Sequence, residues 1–63
     1  MEKEYSRTEN DIAIQKLKAL YDYFESRCSD SQDDLAVYCS LKKAKWRIDD
    51  AISEFQLLSE VLS

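Results

Sequence analysis

The sequence has 63 residues, of which 44% are hydrophobic and 35% are charged, and it contains no glycine, no proline and no histidine. This length allows one small domain, residues 1–63, whose core is near the lower limit for independent stability, so a partner or self-association is expected to help. The missing residue types exclude glycine-rich phosphate loops and histidine-based catalytic or zinc sites, and the net charge of −4 disfavours nucleic acid and anionic membranes as partners.

The N-terminal part of the chain predicts a short tail followed by a first helix. The first seven residues are polar and follow no periodic pattern. Ser6 with Glu9 offers a capping box, and Thr8 and Asn10 are competing caps. We expect helix 1 at about residues 8–28, because apolar side chains recur there every three or four residues. These side chains are Ala13, Ile14, Leu17, Leu20, Tyr21, Phe24 and Cys28.

The polar segment SDSQDD, residues 29–34, separates two periodic runs and predicts a turn between two helices at 29–31. Ser31 with Asp34 resembles a second capping box, which would start helix 2 at about residue 32. A polar connection this short between two amphipathic helices favours an antiparallel hairpin.

The second helix has the clearest pattern in the sequence. Eight apolar residues alternate spacings of four and three, as at the a and d positions of a coiled coil. They are Val37, Leu41, Ala44, Ile48, Ala51, Phe55, Leu58 and Leu62. The sequence therefore predicts helix 2 at about residues 32–62 and an all-α fold, an antiparallel coiled-coil-like hairpin of two helices with a short N-terminal tail.

The unequal lengths of the predicted helices suggest a binding surface. Helix 2 would be longer than helix 1 by roughly 15 Å, at 1.5 Å per residue. Helix 1 would then end level with about residue 54, and the apolar residues beyond that point would be exposed to a partner. The candidate partner-binding residues are Phe55, Leu57, Leu58, Val61 and Leu62, with Trp46 and Tyr38 as weaker candidates.

Trp46 stands among four cations in the stretch LKKAKWRIDD, residues 41–50. In the heptad register it occupies position f, opposite the seam, so it is expected outside the hairpin core. It could lie across the aliphatic stems of Lys42 and Lys43 with cation–π contact, or it could anchor an interface, where tryptophan is enriched. Both alternatives stay open at this point.

The remaining chemistry gives no reason to expect catalysis, a cofactor or a bound metal ion. Cys28 and Cys39 lack the CxxC spacing and would be staggered on antiparallel helices, so two free thiols are expected. The cations of residues 42–47 are neutralised within one turn by Asp49 and Asp50, so we interpret them as a solvated face, with no nucleic-acid site. The chain has neither a membrane-spanning run nor the apolar core of a signal peptide, which predicts a cytoplasmic location.

The run VYCSLKKAKWRIDDAISEF, residues 37–55, resembles the C-terminal helix of the small cytoplasmic co-chaperones of type III secretion needle subunits. The resemblance implies that the hairpin binds a larger helical-repeat chaperone, that the two keep the needle subunit soluble before export, and that the chain contributes to virulence. An isolated hairpin of this kind could also cover its apolar patch by forming a homodimer. The matching residues are Tyr38, Leu41, Ile48, Ala51, Ile52 and Phe55.

Two further resemblances support an alternative function. The segment SDSQDDLAVYCS, residues 29–40, is similar to part of the haemolysin-expression-modulating family, whose members bind a nucleoid-associated repressor. In length and topology the chain also resembles plasmid-encoded RNA-binding hairpins that dimerise. The alternative is a self-associating four-helix-bundle regulator that binds RNA or a nucleoid-associated protein. Its RNA-facing side chains would be Lys16, Lys18, Lys42, Lys43 and Lys45.

Overall fold

The computed structural model describes residues 4–62; residues 1–3 of the predicted tail, and residue 63, lie outside the described part of the chain. Within that part the elements are two α-helices, α1 (Arg7–Asp30) and α2 (Leu35–Leu62), and no strand. The helices pack against each other in antiparallel directions, and the Cα atoms extend over 49 × 20 × 16 Å. The predicted all-α helical hairpin is confirmed.

The N-terminus of α1 is capped by Ser6, as the sequence predicts. The Ser6 Oγ accepts a hydrogen bond from the backbone N–H of Glu9 at 3.2 Å, and the Ser6 carbonyl accepts one from Asn10 at 3.0 Å. Glu9 in the first turn and Arg27 in the last turn both complement the helix dipole. The helix therefore begins at Arg7, one residue before the predicted bound.

The turn lies later in the chain than predicted, because α1 continues to Asp30 and α2 begins only at Leu35. Ser31, which the sequence suggested as the cap of helix 2, instead ends α1, where its backbone N–H donates to the Cys28 carbonyl at 3.2 Å. Because α2 begins at Leu35, its N-cap position is residue 34, three residues after Ser31.

Asp34 is the residue that caps α2. Its Oδ1 accepts a hydrogen bond from the backbone N–H of Val37 at 3.3 Å, and its carbonyl accepts one from Tyr38 at 2.8 Å. Aspartate is a favoured N-cap because its side chain satisfies a backbone donor that the helix itself leaves unpaired. Helix 2 is therefore about three residues shorter than the sequence suggested.

Asn10 fixes the register of the helices near the open end of the hairpin, the end opposite the turn. Its side chain is fully buried at 0% exposure, and its Nδ2 donates to the Phe55 carbonyl at 2.7 Å. Its Oδ1 accepts a hydrogen bond from the Tyr5 hydroxyl at 2.9 Å. In this register Arg7 lies level with about Leu58, so α2 extends beyond α1 by about 6 Å at 1.5 Å per residue. The overhang of roughly 15 Å expected from the sequence is wrong, because α1 is longer and α2 shorter than predicted.

The core is a narrow seam between the two helices. On α2 every predicted seam residue is half-buried except Val37, which is exposed. The buried Ile52 lies beside that seam at position e. On α1 Leu20 is exposed, although the sequence placed it on the apolar face. The first helix therefore lies towards the e side of α2 and leaves the d side open.

Neither helix of the described residues has the length and apolar character that would allow it to cross a membrane.

Candidate protein-binding surfaces

The hairpin is one helix thick, so it has two flanks on which side chains of both helices reach solvent. On the first flank the Lys45 ammonium lies 3.5 Å from the Glu25 Oε1 and 5.2 Å from the centroid of the Tyr21 ring. Ile52 is buried on the same side, where it lines a hollow of about 390 Å³ between the helices together with Tyr21 and Asp49. We call this the closed flank, because Lys45 reaches from α2 to α1 over part of its apolar interior.

The second flank lies on the opposite side of both helices and is more apolar. On α1 it carries Ile12, Leu20 and Tyr23, which are exposed and lie within about 80° of one another around the helix. On α2 it carries the small residues Ala44 and Ala51 at successive d positions, both half-buried. We call this the open flank, because Ile12, Leu20 and Tyr23 of α1 remain exposed there.

The N-terminal tail closes the far end of the open flank. Tyr5 lines a shallow hollow of about 300 Å³ together with Glu9, Ile12, Ala13 and Lys16. Its hydroxyl is held by Asn10, so the ring is fixed over the first turns of α1. The tail residue that the sequence suggested could fold back on the domain therefore extends the apolar surface of α1.

A third apolar surface follows the side of α2 that faces away from α1. Its members are all exposed and lie within about 80° of one another around the helix, at 3.6 residues per turn. We call them the outer stripe: Leu35, Cys39, Trp46, Leu57 and Val61. No residue of α1 can cover this stripe, because it points directly away from the seam.

The structure divides the seven partner-binding candidates from the sequence into two groups. Trp46, Leu57 and Val61 belong to the outer stripe, with 60%, 59% and 78% of their surface exposed. The other four are half-buried in the hairpin itself: Tyr38, Phe55, Leu58 and Leu62. A partner could reach the first group without any change in the packing of the helices.

Trp46 is exposed, as its position in the heptad predicts. The cation–π contacts found within residues 4–62 all use tyrosine rings: Lys42 lies 5.6 Å from the centroid of Tyr38, Lys45 packs on Tyr21, and Arg27 lies 6.0 Å from the centroid of Tyr23. The Trp46 indole is 60% exposed, and the cation–π contacts of the described residues do not include it. Of the two alternatives from the sequence, this favours an interface residue.

The open flank is the surface that the sequence analysis missed. The residue pattern predicts Leu20 in the core, because it continues the apolar face of α1. It places Tyr23 off the seam, among surplus apolar residues that suggest a second covered surface, and it assigns Ile12 to no surface. One signal could have found it: Ile12, Lys16, Leu20, Tyr23 and Arg27 follow one another at spacings of four or three, which places them on one face.

Other chemistry is sparse in the described residues. Cys28 is buried and Cys39 exposed, and both are free thiols. No group of three or more histidine, cysteine, aspartate or glutamate side chains in residues 4–62 is arranged to hold a metal ion. Every buried polar side-chain atom in the same range has a hydrogen-bond partner. The surfaces that stand out are therefore apolar faces suited to protein contact.

No protein-family model matches the sequence, and neither a curated protein nor a solved structure is significantly similar to it.

Proposed function

We propose that the chain is a non-enzymatic protein-binding hairpin, and that the outer stripe of α2 is its contact surface for a partner. The observation that carries this proposal is the exposure of Trp46, Leu57 and Val61 on one side of a single helix. Burying large apolar side chains is favourable by about 25 cal/mol per Å², so a partner that covers them gains affinity. Tryptophan is also enriched among the residues that contribute most to binding.

In the more specific form of this proposal, the partner is a larger helical-repeat chaperone of a type III secretion system. Its support is the resemblance of residues 37–55 to the needle co-chaperones, together with the tail, turn and two-helix plan. In that role the cytoplasmic hairpin would stabilise the larger chaperone, which in turn covers the aggregation-prone helix of the needle subunit. Apolar helix surface docked on another helical protein is a known mode of recognition.

The test is coexpression of the chain with the helical-repeat chaperone and the needle subunit of its own host. We expect all three to elute together in gel filtration. Trp46→Ser and Leu57→Ser should each weaken the complex by roughly thirtyfold, as for a strong interface residue. Helicity should stay unchanged, because neither side chain contacts α1.

Asp49→Ser is the matched control, because it changes an exposed residue of α2 on the closed flank and should leave the complex intact. If the wild-type chain binds neither protein, the co-chaperone assignment is wrong. If it binds and both outer-stripe variants bind equally well, the partner uses another surface.

A further inference from the structure

The hairpin has more accessible surface than its mass requires. A folded monomer of 7.4 kDa is expected to expose about 4,200 Å², whereas this chain exposes 5153 Å². The surplus of about 900 Å² is close to the area that each partner buries in a standard protein–protein interface, about 800 Å². The surplus reflects the thin, elongated shape of the hairpin, and covering one long face with a second copy would bring the exposed area per chain close to that of a compact monomer.

One ridge of α1 on the open flank is complementary to itself when it is reversed. Its members are exposed except for the half-buried Glu9, and they are Glu9, Ile12, Lys16, Leu20, Tyr23 and Arg27. Each residue in its N-terminal half has a counterpart in its C-terminal half at about the same distance from a midpoint near Lys18. Reversal places Glu9 opposite Arg27, Ile12 opposite Tyr23, and Lys16 opposite Leu20, each pair level to within about one residue rise of 1.5 Å. The three facing pairs are one of opposite charge, one apolar, and one of a lysine stem over leucine. A two-fold axis makes every such pair occur twice in the dimer. If residue i of one copy contacts residue j of the other, then residue j of the first copy also contacts residue i of the second.

The midpoint of the ridge coincides with the middle of the hairpin. Lys18, at the midpoint, lies level with about Arg47, in the register set by Asn10 and Phe55. The small side chains of Ala44 and Ala51 flank this level on α2, so they leave room for a neighbouring helix pair to approach. The register of the two helices therefore places the midpoint of the ridge and the space beside the two alanines at the centre of the same face.

We propose that the open flank binds a second copy of the chain, with the turn of each hairpin beside the open end of the other. In this arrangement α1 packs antiparallel on α1 of the other copy in a four-helix bundle. The argument for this occupant is the match of charge and shape along the ridge and the match of surplus area to a standard interface. The opposite orientation, with both turns at one end, places α1 on α2 and loses the pairing of Glu9 with Arg27. Trp46 and Leu57 of the outer stripe point away from the open flank and stay exposed in the dimer, so this proposal is independent of the proposed partner.

One residue opposes the dimer and gives it a sharp signature. Arg47 is exposed on the open flank of α2, level with the midpoint of the ridge, so it approaches its own copy across the two-fold axis. Like charges that approach each other weaken an interface. Arg47→Ala should therefore tighten the dimer, whereas the same change at Lys42, outside the open flank, should have no effect.

The experiment is sedimentation equilibrium over a series of protein concentrations, with helicity followed by circular dichroism. The wild-type chain should change from 7.4 kDa to twice that mass as its concentration rises. Ile12→Asp should raise the dimer dissociation constant by roughly a hundredfold, because it places a carboxylate against Tyr23 of the other copy, in the apolar pair of the contact. Trp46→Asp, the matched control on the outer stripe, should leave the dissociation constant unchanged.

Charge reversal tests the orientation of the two copies. Arg27→Glu alone, or Glu9→Lys alone, should weaken the dimer by roughly tenfold, because each places like charges opposite each other twice per dimer. The double variant should recover most of the wild-type affinity. A chain that stays monomeric at all concentrations, a dimer insensitive to Ile12→Asp, or a double variant weaker than either single one would each overturn the proposal.

Discussion

The two flanks of the hairpin are built from the same two helices, yet one is sealed and the other is not. On the closed flank a long α2 side chain, Lys45, reaches across to Tyr21 and Glu25, and Ile52 is buried beneath this layer. On the open flank α2 presents alanines at the matching level, and Leu20 of α1 is 42% exposed. The size of the α2 side chains at positions d and e accounts for the difference.

This comparison shows how a two-helix protein can have a stable interior and a binding face at once. A hairpin buries only one stripe of each helix. When α1 lies towards position e of α2, it covers the side chains on the closed flank and leaves those on the open flank exposed. The residues that would complete a core on the second side are then left exposed. Exposed contiguous apolar surface of this kind marks an interaction site.

The largest expected difference between the flanks is in the free energy of unfolding. Ile52→Ala should lower it by about 2–3 kcal/mol, because the change removes buried methyl groups from a core with few other buried residues. Leu20→Ala should cost less than about 1 kcal/mol at concentrations where the chain is monomeric, because that side chain is half in water already. Urea unfolding followed by circular dichroism measures both values. Equal losses would contradict the assignment of a closed and an open flank.

A smaller loss is expected at the open end, where one buried amide holds the register. Asn10→Ala removes the donor to the Phe55 carbonyl and the acceptor of the Tyr5 hydroxyl, and should cost about 1–3 kcal/mol. Tyr5→Phe removes only the second of these hydrogen bonds and should cost about 1 kcal/mol. Unfolding in urea tests both, with Thr8→Ala as a control on an exposed position of the same turn. A larger loss for Tyr5→Phe than for Asn10→Ala would show that the tail, and not the register bond, stabilises this end.

The smallest effect is expected for the ion pair that spans the closed flank. Glu25 is exposed, with 60% of its side chain accessible, so Glu25→Gln should lower the free energy of unfolding by less than about 1 kcal/mol. The loss should shrink at high salt, because mobile ions screen the pair. Glu54→Gln on the open flank is the matched control for a change of net charge. A salt-independent loss would indicate that Glu25 acts through packing.

Much of the fold could be predicted from the residue pattern. The missing glycine and proline, the run of polar residues at the turn, and the eight-position seam predicted an antiparallel helical hairpin, and Ser6 was predicted as a cap. The bounds at the turn were less accurate. Ser31 and Asp34 are both good caps, and the pattern does not say which of two adjacent helices each of them ends.

The candidate surfaces were predicted only in part. Trp46, Leu57 and Val61 are exposed, as the heptad register and the apolar end of helix 2 suggested. Leu58 was a candidate for the same surface, yet the structure packs it in the hairpin. The reason is the register set by Asn10, which brings the start of α1 level with about Leu58 and shortens the overhang.

The sequence by itself determined that this chain forms two amphipathic helices, where the first begins, and that Trp46 lies outside the core. Those properties follow from spacing along one helix and from local caps, which need no information about a neighbour. Only the tertiary structure decided that α1 lies towards the e side of α2, that Asn10 is buried, and that Leu20 is exposed. Each of these depends on the rotation and the register of one helix relative to the other, which the spacing of residues along a single helix does not specify.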